Sequence, residues 1–297
     1  MRKKPDLRIG GLRRFAIAIT VLNLLGHTVL GFESSWAQMF LALITAYLTE
    51  IVLEVIDAWA NKKPYRFAGG VVNLVNFLLP AHIAGMAVAM LLYTRSSLLP
   101  FVFASAVGIA SKAIFTAPVN GSKRHFLNPS NTGIAVTVLL FPALSPIVPY
   151  QFTEYLSGEM SWVLLIVIVF LGTFMNWRYA QRLPLVLAWL IGFALQGELR
   201  CLMNGLPLSV GLVPMTGVSF VLFTFYMITD PGSTPTDWRE QVVFGAAISV
   251  VYSLLVLSHV GFAFFYALLI VCSARGLVLH LKAVRLRSSS EPLVQIQ

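Results

Sequence analysis

The chain has 297 residues, of which 58% are hydrophobic and only 11% charged, so it lacks the polar material to coat a soluble globule. Its formal charge of +9 would suit nucleic acid, but the Lys and Arg residues gather in short segments between apolar runs, which is the pattern of membrane orientation signals; no nucleic-acid module is implied. The two cysteines, Cys201 and Cys272, form no metal-binding spacing and are too few for an iron–sulfur cluster, so packing roles are expected.

In chain order, Met1 to Arg14 is a basic tail with no small-residue cleavage site after the apolar run that follows, and it is read as a retained cytoplasmic tail. Apolar stretches of spanning length then run at 15–32, 36–56, 70–93, 98–116, 129–148, 161–175, 183–203, 211–229, 242–258 and 261–280. This predicts an all-α polytopic membrane protein with about ten transmembrane helices in a lipid bilayer. Only Ser258-His259-Val260-Gly261 marks a hairpin between the last two, and topology arbitrates. Ten spans with both termini cytoplasmic leave every Lys and Arg except Arg95 and Arg200 on the inner side, whereas fusing the last pair would send the basic C-terminus across the membrane. The predicted organisation is a tail at 1–14, a five-helix half at 15–148, a second at 149–280 and a cytoplasmic tail at 281–297.

The third stretch contains Phe77-Leu78-Leu79-Pro80-Ala81-His82-Ile83-Ala84-Gly85, and the eighth contains Gly211-Leu212-Val213-Pro214-Met215-Thr216-Gly217-Val218-Ser219. Each has an apolar pair, a Pro and then small residues, and each is third in its half, running in opposite directions. An inverted five-plus-five repeat predicts this arrangement, with Pro-broken third and eighth helices.

Two compact polar loops each follow or precede an apolar helix: His125-Phe126-Leu127-Asn128-Pro129-Ser130-Asn131, and Met227-Ile228-Thr229-Asp230-Pro231-Gly232-Ser233-Thr234-Pro235. Both are predicted on the same side of the membrane. Lys123, Arg124 and His125 bring positive charge, Asn128 brings an amide, and Pro129 opens a helix whose first N–H groups can attract an anion or an electron-rich ring. Asn before Pro and Asp before Pro-Gly are also ordinary capping and turn chemistry, and spacing alone leaves both readings open.

These two motifs, with Phe225-Tyr226 ahead of the second, resemble the paired motifs of the RnfD/NqrB family, which contains the D subunit of the Rnf electron-transport complex and the B subunit of the sodium-translocating NADH:quinone reductase. The resemblance covers about 65–280 in order. It implies a multi-span flavoprotein subunit of a bacterial inner membrane that passes electrons through flavin, FMN or riboflavin, alongside other membrane redox subunits and without independent catalysis. The flavin-binding residues it points to are Asn128, Pro129, Ser130, Asn131, Thr229, Asp230 and Thr234; Lys123 adds positive charge beside them, and Asn73 and Asn76, on one face of the third stretch, either hydrogen-bond an isoalloxazine edge or make interhelical amide contacts. Family members with covalent FMN carry it on a Thr in a Ser-Gly-Ala-Thr type segment outside the membrane. Here the corresponding region reads Ser157-Gly158-Glu159-Met160, and Met offers no hydroxyl, so non-covalent flavin is expected. The branch without the attachment motif, including membrane proteins of enediyne clusters, is the more similar one.

Glu50, Glu54 and Asp57 form one stripe on the second stretch, either a cation entry site or a helix end paired with Lys62 or Lys63. His27 and His82 lie inside spans at spacings unsuited to a bis-His haem and are expected to be satisfied structural imidazoles. Aromatic residues of the eighth and tenth stretches either flank an electron path or pack. No phosphate-cradling Gly loop or NAD fingerprint occurs. Beside the electron-transfer subunit stand two further hypotheses: a transporter or channel for a small solute or natural product on the same fold, and an accessory protein of a biosynthetic assembly.

Overall fold

The computed structural model describes residues 7–119, 122–142, 155–156 and 158–290. Helix α1 (Leu7–Leu25) continues into a π-helical turn at Gly26–Leu30 and is followed by α2 (Trp36–Ala60), α3 (Val71–Leu91) and α4 (Leu99–Ile114). A short antiparallel hairpin of β1 (Thr116–Val119) and β2 (Ser122–His125), pairing Thr116 with His125, leads into α5 (Pro129–Leu140). Then come α6 (Met160–Met175) with a π turn at Asn176–Ala180, and α7 (Leu183–Met203). The chain closes with α8 (Leu208–Leu212), a 3-10 turn at Val213–Thr216, α9 (Val218–Leu222) with a π turn at Phe223–Met227, α10 (Trp238–Leu257) and α11 (Ala263–Ser290).

Among the described residues seven helical segments are long and apolar enough to cross a membrane, and an eighth crossing results if the bent α8–α9 pair is one span. The fold is therefore an all-α, multi-pass membrane protein. Its outward side chains are hydrocarbon: Leu99, Val71 and Phe170 are 79%, 76% and 70% exposed, a surface that water would disfavour and lipid accepts. Helices α4 and α5, of 16 and 12 residues, occupy the fourth and fifth predicted spans but fall short of crossing length. The end of the fifth predicted span, 143–148, lies outside the described residues. The last two stretches are separate helices, with His259 and Phe262 both at φ 57° in the turn between them.

The expectation of two Pro-broken helices holds for one. The α8–α9 pair bends by 68°, and Gly217, at ψ 139°, is the extended residue between its two parts. Helix α3, in contrast, runs unbroken through Pro80. Pro80 removes one N–H donor, but Ala81 to Ala84 continue as ordinary helix formers, whereas Pro214 is followed after two residues by Gly217, which has no side chain to hold a helical conformation.

Close helix contacts rest on small residues, as lipid-embedded packing favours. A Cβ on Gly133 would collide with the Ala104 carbonyl, and one on Gly108 with the Pro129 carbonyl, so α5 lies directly against α4. The acidic stripe of α2 is fully paired: Glu50 with Lys112 of α4 at 2.6 Å, Glu54 with Arg66 at 2.5 Å, and Asp57 with Lys63. The partner of Glu50 is thus Lys112 rather than Lys62 or Lys63, which ties α2 to α4. Trp189, Phe193, Phe220, Phe223, Tyr252 and Phe264 form one aromatic core between α7, α9, α10 and α11. Phe220 and Phe223 are packed inside it rather than lipid-facing.

One pattern occurs in the first helix of each predicted half. After α1 the π turn ends at Gly31 in the left-handed region with its N–H on Gly26 O, and after α6 the π turn ends at Gln181, also left-handed, with its N–H on Asn176 O. A buried asparagine accompanies each, Asn23 three residues ahead of the first π turn and Asn176 as the opening residue of the second. Asn23 Nδ2 donates to Ile19 O four residues back and to Met86 O of α3; Asn176 Nδ2 donates to Gly172 O four residues back and to Phe225 O of the eighth stretch. Both leave Oδ1 buried without a partner among the described residues.

Candidate functional site

The two polar loops come together. Asn128 caps α5, its Oδ1 accepting from Asn131 N at 3.0 Å and from Ser130 Oγ at 3.0 Å. Its Nδ2 reaches across to donate to Met227 O at 2.9 Å, a residue 99 positions away. His125, at the end of β2, lies 3.7 Å from Asp230 Oδ2, and a Cβ on Gly232 would collide with the His125 imidazole. Phe126 is seated in the same way on Gly276 of α11, and Asn131 Nδ2 donates to Phe265 O at 3.0 Å, so α11 closes the third side. Residues far apart in sequence thus meet because each has a short polar side chain able to satisfy a backbone group exposed at a helix end.

Asp230 organises the second loop. Its carboxylate accepts from Gly232 N, Ser233 N and Ser233 Oγ, the last at 2.8 Å. Burial alone would raise its pKa, but the hydrogen bonds and the neighbouring His125 outweigh burial and hold the carboxyl below its ordinary value. Thr229 Oγ1 donates to Phe225 O, and Thr234 Oγ1 donates to Asp230 O at 2.6 Å.

Two arginines that the sequence reading left among the orientation charges belong to this site. Arg182, only 4% exposed, donates from Nε to Thr234 Oγ1 at 2.9 Å and from Nη1 to Ala180 O. Arg275 of α11 donates from Nη1 to Ser233 O at 3.0 Å. Burial pushes the Arg182 guanidinium below its usual pKa; the charge of Asp230 counters this, and Arg275 and Arg124 add to the depression.

Of the ten residues singled out in the sequence, Asn128, Pro129, Ser130, Asn131, Thr229, Asp230 and Thr234 are gathered here. Lys123 stands exposed on β2 of the adjoining hairpin. Asn73 and Asn76 are engaged elsewhere: Asn73 Nδ2 returns to Ala68 O, and Asn76 Oδ1 accepts from Nε and Nη2 of Arg13. His82 accepts from or donates to Tyr47 and Thr20 at 2.6 and 2.7 Å. Because Thr20 Oγ1 already donates to Ala16 O, it receives the Nε2 proton, and Tyr47 donates to Nδ1. Both His82 nitrogens are thereby occupied, as the sequence reading expected of a structural imidazole. No group of three or more metal-ligating side chains occurs among the described residues. Of the segment considered for covalent flavin, 149–154 and Ser157 lie outside the described residues.

Most polar atoms of the two loops are engaged with each other. What remains is Asn131 Oδ1, buried without a partner among the described residues, beside the guanidinium groups of Arg182 and Arg275. No protein-family model matches the chain, and no curated protein matches it.

Proposed function

We propose that the chain is a ten-span, RnfD/NqrB-like subunit of a bacterial inner membrane that holds a non-covalent flavin beside the two interlocked loops and takes part in electron transfer with partner redox subunits. The observation that carries this reading is the meeting of the two motifs through Asn128 and Met227, with the guanidinium groups of Arg182 and Arg275 against the second of them. The donor set suits a flavin: the unpaired Asn131 Oδ1 offers an acceptor for the ring imide N–H, and Lys123 and Arg124 on the hairpin favour its electron-rich edge. The bound flavin would supply the redox chemistry, while the chain's own residues fix the position and the local charge. Support for an inverted repeat comes from the recurrence of a π turn after α1 and after α6 with a buried asparagine at or just ahead of it, Asn23 and Asn176, each donating to the third helical stretch of its own half.

The test is the absorption spectrum of the full chain purified in detergent, followed by acid precipitation. Flavin absorbance that leaves the protein on precipitation supports the reading; colourless protein that takes up neither FMN nor riboflavin refutes it. Transport of a small solute is a second reading with one observation in its favour. The 68° break at Gly217 frees backbone groups inside an apolar region, as in transporters with discontinuous helices. Solute flux into liposomes by flavin-free protein would select it.

A further inference from the structure

Helices α1 and α3 touch at two levels and leave a cleft of about 620 Å³ beside them. At the first level Arg13 donates from Nε and Nη2 to Asn76 Oδ1; at the second Thr20 is bonded to His82, and Tyr47 of α2 closes that end. Ala16, small and buried, lies between the two levels and keeps the floor low, while Ile17 and Val21 of α1 and Val72 and Val75 of α3 are exposed hydrocarbon walls. Along α3 the lining extends from Val71 to His82, about 16 Å of helix, which is close to the depth of one leaflet in a hydrocarbon core about 30 Å thick. The end at His82 has no proton to give, because Thr20 donates to Ala16 O, His82 to Thr20 and Tyr47 to His82. A ligand that buries a carbonyl or carboxylate there finds no donor, whereas the end of a hydrocarbon chain needs none. Charge enters at the other level. Arg13 is oriented by a neutral amide, keeps Nη1 without an acceptor and forms no ion pair among the described residues.

We infer that this cleft binds a bilayer phospholipid with an anionic headgroup, one acyl chain lying along it and the phosphate on Arg13. Guanidinium donors match phosphate oxygens, and a basic group beside a crevice between membrane helices is an arrangement that holds anionic headgroups. A helix of another protein fits less well: packed helices keep their axes about 8–10 Å apart, and α1 and α3 already meet at both levels, so the space is a furrow suited to a chain without side branches. The cleft shares no residue with the paired loops and is independent of what they hold.

The experiment is native mass spectrometry of the full chain released from detergent that contains dioleoyl phosphatidylglycerol and dioleoyl phosphatidylcholine in equal amounts. The two lipids share their chains and differ in headgroup charge. Phosphatidylglycerol is expected to be retained about fivefold over phosphatidylcholine, the contribution of one basic residue near a membrane surface. Arg13→Gln is expected to bring that ratio close to one, and Arg13→Lys to restore part of it. Val75→Trp, which puts an indole into the cleft, is expected to remove the retained lipid of either kind, while Val52→Trp, on the exposed face of α2 and outside the lining, leaves it in place. Equal retention of the two lipids by the wild type overturns the inference. A preference unchanged in Arg13→Gln overturns the assignment of the headgroup to this residue, and lipid retained in full by Val75→Trp overturns the assignment of the chain to the cleft. A wild-type dimer that Val75→Trp separates into monomers shows that a second copy covers the cleft, and overturns the inference as well.

Discussion

Replacement of Asn128 by Ala tests the junction between the two loops. The change removes the N-cap of α5, which contributes about 1 kcal/mol in typical helices. It also removes the bond to Met227 O; interhelical hydrogen bonds within membranes average about 0.6 kcal/mol, with an additional cost of up to about 1 kcal/mol if the carbonyl finds no other donor. The sum is about 2 kcal/mol, a factor of roughly 30 in the folding equilibrium. Asn128→Ser separates the two contributions, because Ser still caps the helix but is too short to reach across to Met227. Reversible denaturation of the full chain in mixed micelles should therefore rank wild type above Asn128→Ser and that above Asn128→Ala, in steps of about 1 kcal/mol each. Flavin retention should fall in both variants. A Ser variant as stable as wild type would show that the bond to Met227 couples nothing, and the case for a joined site would lose its foundation.

Gly133→Ala places a methyl group against the Ala104 carbonyl and is expected to cost about 1–3 kcal/mol, measured in the same way; an unchanged midpoint would mean that α4 and α5 are not in direct contact. Asp230 should mark the acid limb of stability. Its carboxyl is held below the ordinary value, so the stabilisation is complete above about pH 4 and is lost as pH falls through the depressed value; Asp230→Asn should flatten thermal melts across that window, and an unaltered acid limb would contradict the assignment. Gly232→Ala should displace His125 from Asp230, read as a changed histidine signal in NMR of selectively labelled protein, with no change if the turn has slack.

The apolar stretches, the separate last two helices and the meeting of the two loops were legible because each depends on local patterning or on backbone groups that helix ends must satisfy. The shorter length of α4 and α5 was not, since the apolar runs extend beyond the helices that occupy them. Nor was the continuity of α3: Pro80 and Pro214 look alike in sequence, and only the Gly217 that follows the second separates their outcomes. Arg182 sits at the start of an apolar helix, where an orientation charge is also expected, and its role depends on Thr234, 52 residues away. Asn23 and Asn176 carry no periodic signal, because each is defined by a carbonyl of another helix.

Capping and ligand binding are compatible at the paired loops. Asn128, Thr229 and Asp230 are committed to backbone groups and Ser130 to the Asn128 side chain, which makes them supports rather than free ligand contacts. A site built on such supports is stiff, and its recognition falls to the groups left over: the Asn131 carbonyl oxygen and the guanidinium nitrogens of Arg182 and Arg275. Substitution of a support should therefore lower stability and ligand retention together, whereas Arg275→Gln should lower ligand retention with the loss of a single hydrogen bond to Ser233 O, about 1 kcal/mol. If both kinds of variant moved stability and binding in parallel, the arginines would be structural like the rest, and their charge would be an orientation signal alone.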